Sequence, residues 1–286
     1  MNDIHNFVFL LKEDNMGAKV IAMANQKGGV AKTTSTMNLG AALSRNGKKV
    51  LLVDCDPQAN LTEIMGYDEP EKLKTTLSTV LLKVIREEPI GNKEGILIHA
   101  EGMDLMPASE ELATTEMTLH NVMSRETVLK QYIQTVKNQY DYILIDCGPS
   151  LELLTINALT ASNSVIIPVL SHYLPTKGLQ KLLKTIARTR RNLNPSLEIE
   201  GILLTMVDSR TNFAREICTL IRNTYAEYVF DAEIPHSIRL AEMAVTGESI
   251  FRYEPKGRTA EAYESLAKEV MQREKTIRKS KTEQYR

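Results

Sequence analysis

The stretch Gln26-Lys27-Gly28-Gly29-Val30-Ala31-Lys32-Thr33-Thr34 lies between an apolar run, residues 19–24, and an amphipathic stretch, residues 32–46. Strand, glycine pair, lysine, two hydroxyls and helix, in that order, describe a phosphate-binding loop. Gly28 and Gly29 lack Cβ atoms, so backbone N–H groups can approach an anion closely. The helix that follows adds its N-terminal N–H groups and the positive end of its dipole. Lys32 supplies charge for the β- and γ-phosphates, Thr33 a hydroxyl for Mg²⁺, and residues 27–34 together line the nucleotide.

Outward from this loop, short apolar runs at 49–54, 142–146, 164–169 and 201–207 read as further strands. They are continuously apolar, as strands are when helices cover both faces of a sheet. Helical patterns fall at 32–46, ended by Gly47, and at 125–139, 151–161, 176–192 and 212–225. The βαβα rhythm predicts an α/β fold with a doubly wound, mainly parallel sheet. One domain is expected over 19–270, preceded by an extension (1–18) and followed by a basic tail (271–286). The extension is either frayed, with Met16 as an alternative start, or a short binding segment built on residues 7–11.

The chain has 286 residues, 35 basic and 36 acidic side chains, and a net charge of −1. This balance excludes a wholly basic nucleic-acid binder but leaves room for a local basic patch. No apolar run approaches the ~18 residues needed to cross a bilayer. Three separated cysteines, Cys55, Cys147 and Cys218, fit a reducing, cytoplasmic setting and lack the spacing of a metal or cluster site.

Two strands run into acids. One meets Asp54-Cys55-Asp56-Pro57-Gln58-Ala59-Asn60, the other Asp146-Cys147-Gly148-Pro149-Ser150. Ligands of open α/β sheets sit at the carboxyl ends of strands, so both groups are expected beside the phosphate loop.

The loop departs from G-x-x-x-x-G-K-[ST], since Gln26 and Ala31 occupy the outer glycine positions. The additional Lys27 matches instead the deviant pattern K-G-G-x-G-K-[ST]. On this loop and on segments 54–60, 141–150 and 205–212, the chain resembles the ParA/Soj ATPases of plasmid and chromosome partition. These are relatives of MinD and the nitrogenase iron protein, and the resemblance runs from residue 19 to about 270. It implies an ATPase in which Mg-ATP is sandwiched in a homodimer and Lys27 reaches the partner's nucleotide. Lys27, Lys32 and Asp56 would be catalytic, Asp56 placing the attacking water. Asp146 would hold Mg²⁺ through water, with Thr33 and Asp54 supporting the metal. Met206, Asp208 and Pro235 either line the adenine or simply end their strands. Ala31 stands where the family has glycine, and its methyl is expected to fit at negative φ. Gly148 replaces a proline and predicts a more mobile loop.

The resemblance also implies sequence-independent binding to double-stranded DNA, nucleoid association, and slow hydrolysis stimulated by a ParB-like partner. Arg239 matches a family DNA-contacting arginine. His236 stands where arginine is usual, a loss of charge that Arg210, Arg215, Arg222 and Lys256 would offset. Residues 176–191 hold six basic side chains and no acid, either a solvated face or a phosphate-tracking patch. A MinD-like membrane role would rest on Val270, Met271, Ile277 and Tyr285, too little apolar area for firm binding, so no membrane is expected. A nucleotide-dependent docking protein with negligible turnover is the remaining alternative.

Overall fold

The computed structural model describes residues 17–171 and 177–284. Eight strands form one sheet: β1 (Lys19–Met23), β2 (Val50–Cys55), β3 (Leu97–Ile98), β4 (Met103–Met106), β5 (Tyr142–Cys147), β6 (Ser164–Leu170), β7 (Glu198–Val207) and β8 (Val229–Pro235). Their order is β3-β4-β2-β5-β1-β6-β7-β8, and every pairing is parallel except β3 with β4. The chain winds first to one side of β1 and then, after β5, to the other. The segment leaving β1 therefore emerges at the switch point, where α/β sheets bind ligands.

The strands are apolar on both faces because both are covered. Val20, Ala22, Leu51, Val53, Ile143 and Ile145 face one cluster, while Ile21, Met23, Val50, Leu52 and Leu144 face the other. That split follows from the two-residue period of a strand. The first cluster is closed by α3 (Leu77–Ile85), α4 (Glu111–Leu119), α5 (Val128–Val136), α6 (Leu153–Ala161), α7 (Lys177–Asn192) and α8 (Asn212–Tyr225). The second is closed by α1 (Lys32–Arg45), α2 (Asn60–Ile64), α9 (Arg239–Met243), α10 (Ile250–Tyr253) and α11 (Arg258–Gln284). Gly47 ends α1 as expected, at φ 76°, a conformation that favours a residue without Cβ.

Four features depart from the sequence-based expectation. Residues 57–120, to which the sequence reading assigns no element, form α2 to α4 and the strands β3 and β4 at one side of the sheet; these pieces are too short to show a periodicity. The helix predicted over 125–139 is α5 flanked by two 3₁₀ turns, entered through Ser124 at φ 55°. Strand β8 and the short helices α9 and α10 follow α8. Finally, the boundary expected at Val270 falls inside α11. Tyr263, Leu266, Ala267 and Val270 are fully buried, the Arg273 guanidinium lies 4.2 Å over the Phe230 ring, and Glu274 accepts from the Tyr142 hydroxyl. Of the expected extension 1–18, residues 1–16, with Met16, lie outside the described residues, whereas Ala18 is buried and its N–H donates to the Lys137 carbonyl at 2.9 Å.

Candidate nucleotide site

The loop after β1 is held by bonds that leave its backbone turned outward. Asn25 donates from Nδ2 to the Pro168 carbonyl at 2.6 Å and accepts the Lys27 N–H on Oδ1 at 3.0 Å. Thr205 at the end of β7 donates to the Val30 carbonyl at 3.1 Å. Lys27, Gly28 and Gly29 are exposed, while Val30 and Lys32 are buried. The Lys32 ammonium curls over the loop and donates to the Lys27 carbonyl at 3.3 Å. Gly29 has φ 68° with open space where a Cβ would stand, so the loop forms a cradle open to an anion.

Ala31 also adopts the left-handed conformation, at φ 63° and ψ 32°, and enters α1 from there. The expectation of a negative φ is thus corrected. The loop needs a left-handed residue at this position, and alanine fills it against the steric preference of its Cβ. Glycine would relieve roughly 1 kcal/mol of strain, partly offset by its greater freedom in the unfolded chain. Ala31→Gly is expected to raise the melting temperature by about 2 °C, and calorimetry showing no rise would mean that the loop carries no strain.

Asp54 and Asp146 end up as register neighbours on β2 and β5, both inaccessible to solvent. Asp54 accepts from the Thr62 N–H at 2.8 Å, the Thr62 hydroxyl at 2.7 Å and the Asp56 N–H at 3.3 Å. Both of its oxygens are therefore directed to the loop 56–62 rather than to open space. Asp146 differs. Its Oδ1 accepts from the Thr36 hydroxyl at 3.3 Å, while Oδ2 is buried with no hydrogen-bond partner among the described residues. A buried carboxylate oxygen left unpaired is costly unless a ligand completes it. Beside Lys32 and Thr33, this oxygen and its neighbours fit a water-bound Mg²⁺ on a phosphate.

Burial pushes the Asp146 carboxyl up to about 8, reinforced by the Asp54 charge and opposed by the Thr33 hydroxyl and the Lys32 ammonium. Burial likewise raises Asp54 to about 7 against its bonds from Thr62. In the unfolded chain both acids lose their protons near 3.8. The folded chain thus retains protons that the unfolded chain has released. Their stabilising contribution is complete below about pH 4 and is lost as pH rises through about 8. Without Mg²⁺, the melting temperature is expected to fall between pH 5 and 8.5, and Asp146→Asn to flatten the decline. Equal slopes in thermal melts of the two proteins would contradict this.

Asp56 is buried and accepts the Gln58 N–H at 3.0 Å. Gly148 explains itself here, because a Cβ at that position would sit 3.3 Å from the Asp56 carboxylate. A side chain there would require the Asp56 carboxylate to give way by a few tenths of an ångström, so glycine leaves the acid more room. Cys55 and Cys147 are buried register neighbours, their thiols raised by burial.

Met206, Asp208 and Pro235 come together at the carboxyl ends of the adjacent strands β7 and β8, with Val207 in register with Pro235. Met206 sits at φ 51°, and its carbonyl accepts from the Ser171 hydroxyl at 2.9 Å. Three of the expected DNA-contacting arginines pair with carboxylates of this chain. Arg210 pairs with Asp208 through two bonds of 2.8 Å, and this holds the Asp208 carboxyl down at about 2. Arg222, half-buried farther along α8, pairs with Glu233 at 2.8 Å. Arg239 pairs with Glu242 at 2.8 Å and approaches Glu254 at 3.7 Å. Arg215 bonds Asn212, and Lys256 and His236 are exposed.

Sequence reasoning missed Asn25, Thr36, Thr62, Thr205 and Ser171, which hold the loop and the acids in place. Asn25, an amide two residues before the loop, was legible as a turn former. Thr62 and Thr205 become significant only through contacts between distant segments.

Residues 18–199 match the family described as AAA domain. The chain is 43% identical over 257 residues to the sporulation initiation inhibitor protein Soj of Bacillus subtilis, covering 88% of this chain and 98% of Soj. It is 38% identical to the chromosome partitioning protein ParA of Caulobacter vibrioides, covering 90% of this chain and 95% of that protein. Among solved structures, cobyrinic acid a,c-diamide synthase of Mycobacterium smegmatis, with a bound ATP analogue and magnesium, superposes with a TM-score of 0.77 at 37% identity. That match covers 88% of this chain and 93% of the other. With its deviant phosphate loop and strand-end acids on a doubly wound sheet, the chain belongs to the ParA/Soj family of P-loop ATPases.

Proposed function

We propose that the chain is an ATP-driven partition switch, in which Mg-ATP joins two copies, the dimer binds DNA without sequence preference, and slow hydrolysis stimulated by a ParB-like protein releases it. The observation that carries this reading is the unpaired, buried Oδ2 of Asp146 beside Lys32 and Thr33, at the mouth of a loop that also exposes Lys27. The loop N–H groups and Lys32 bind the phosphates. Thr33 and Asp146 hold Mg²⁺, Asp146 through water, and the metal when bound neutralises charge on the phosphate oxygens. Asp56 orients the attacking water, and Asp54 acts through the loop 56–62 that carries Asp56. Met206, Asp208 and Pro235 border the base. Lys27 crosses to the partner's nucleotide, which makes ATP a ligand of the dimer.

Support for DNA over membrane comes from α11. Of the four apolar residues a lipid-binding tail would use, Val270 is in the core and Met271 packs against it. Ile277 and Tyr285 lie where no side chain is described. No helix among the described residues is long and apolar enough to cross a membrane.

The test is fluorescence anisotropy of a random DNA duplex titrated with the protein in ATP, in ADP and without nucleotide, at low and moderate salt. Binding is expected only with ATP and should weaken steeply with salt. Equal binding without nucleotide would reject the switch, and no binding in any state would reject the DNA output.

A further inference from the structure

The turn that carries Asp56 holds a backbone conformation that its residues resist. Between Asp56 and α2 the chain doubles back, and the Ala59 N–H donates to the Asp56 carbonyl at 2.9 Å. Ala59 sits at φ 52° and ψ 25°, the left-handed region that a Cβ disfavours, and α2 starts from there. Such a conformation persists only where neighbouring contacts impose it. The Asp56 carboxylate supplies little of that constraint. Among the described residues it accepts a hydrogen bond only from the Gln58 N–H, inside the same turn.

The turn is tied to the sheet at its two ends. At the near end the Asp56 N–H donates to Asp54 Oδ1 at 3.3 Å, a long bond. At the far end stands Thr62, with no solvent exposure. Its N–H and its hydroxyl both donate to Asp54 Oδ2, at 2.8 and 2.7 Å. The hydroxyl oxygen also accepts the Ala108 N–H at 3.0 Å. Asp54 is on β2 and Ala108 follows β4, so one hydroxyl binds the turn to the carboxyl ends of two strands. Its single proton is committed to Asp54 and a lone pair to Ala108, which fixes its rotation.

We propose that Thr62 is a positioning residue for hydrolysis, its hydroxyl holding segment 56–62 in the arrangement that aims the Asp56 carboxylate at the attacking water. This rests on the reading of Asp56 above and names the group that enforces it. Thr62 acts through Asp56 and is not itself a catalytic group. Phosphoryl transfer depends on placement more than on covalent chemistry. A displacement of about 1 Å at Asp56 therefore costs on the order of 100-fold in rate. The phosphates are held by residues 27–34, none of which bonds Thr62, so ATP affinity should not follow.

Thr62→Val keeps the shape of the side chain and removes the hydroxyl. It should lower kcat for ATP about 30-fold and leave KM within about threefold. Thr62→Ser, which keeps the hydroxyl, should turn over within about twofold of wild type. Thermal melts establish that each variant is folded at the assay temperature, and Thr62→Ala repeats the test if valine against the Ala108 N–H prevents folding. The deciding readout is the cycle with Asp56→Ala, measured in single-turnover assays. Adding Thr62→Val to Asp56→Ala should change the rate by less than about twofold, because the group that Thr62 places is already gone. A loss that multiplies with that of Asp56→Ala would mean that Thr62 acts apart from Asp56 and would overturn the proposal. Wild-type turnover in Thr62→Val beside a slow Asp56→Ala would also overturn it and leave the role of Asp56 intact. If Asp56→Ala turns over at the wild-type rate, the reading of Asp56 itself fails, and this inference with it.

Discussion

Asp56→Ala is expected to lower steady-state ATP turnover by at least about 100-fold while leaving an ATP-bound dimer that persists. The acid is buried at the mouth of the site, against Gly148, and its backbone N–H bonds Asp54. Replacing the side chain keeps that backbone bond. Only the Gln58 N–H loses its acceptor, and exposed Gln58 can turn to water. The fold and the loop should therefore survive. The charge of Asp56 helps to keep both Asp146 and Asp54 protonated. Without it the pair ionises more readily, so affinity for Mg-ATP should hold or tighten as turnover falls. Size-exclusion chromatography with ATP should show a long-lived dimer, and phosphate release should be nearly absent. A variant that turns over at the wild-type rate would remove Asp56 from the chemistry. One that cannot bind ATP would make its role structural.

Lys27→Ala should separate binding from assembly. The backbone of Lys27 takes part in the loop, its N–H on Asn25 and its carbonyl under the Lys32 ammonium, whereas its side chain is at the surface. Truncation keeps these two backbone bonds, so a single copy should still bind ATP within about tenfold of wild type. In a two-fold dimer the lost contact is lost twice. A charge-assisted contact to phosphate, removed from water at an interface, is worth about 2 kcal/mol or more on truncation. Two such losses correspond to roughly a 1,000-fold weaker dimer, at 1.4 kcal/mol per factor of ten. Analytical ultracentrifugation at micromolar protein should then show monomer in ATP, with turnover falling in parallel. A fully dimeric and active variant would assign Lys27 to its own subunit's nucleotide.

Much of this site was present in the order of residues. Glycines, lysine and hydroxyls between a strand and a helix define a phosphate loop by local chemistry, because backbone N–H groups and a helix end act over a few residues. The strand-end acids were legible for a similar reason, since parallel strands deliver their carboxyl ends to one edge. The central strands and the helices α1, α6, α7 and α8 were readable from their apolar patterns, and so was Gly47 as the end of α1.

Other features depended on neighbours remote in sequence. Whether Ala31 is strained depends on the path by which the loop enters α1, and the path has φ 63°. Gly148 matters because Asp56 comes to lie against it, and Asp54 holds a loop because Thr62 turns back onto it. Sequence marked Arg210, Arg222 and Arg239 as positive, but only the fold brings a carboxylate to each. Local patterning determines which elements form, through hydrogen bonds and burial repeated at short range. Which charges are neutralised, and which buried oxygen lacks a partner, is decided by packing between segments that the sequence holds far apart.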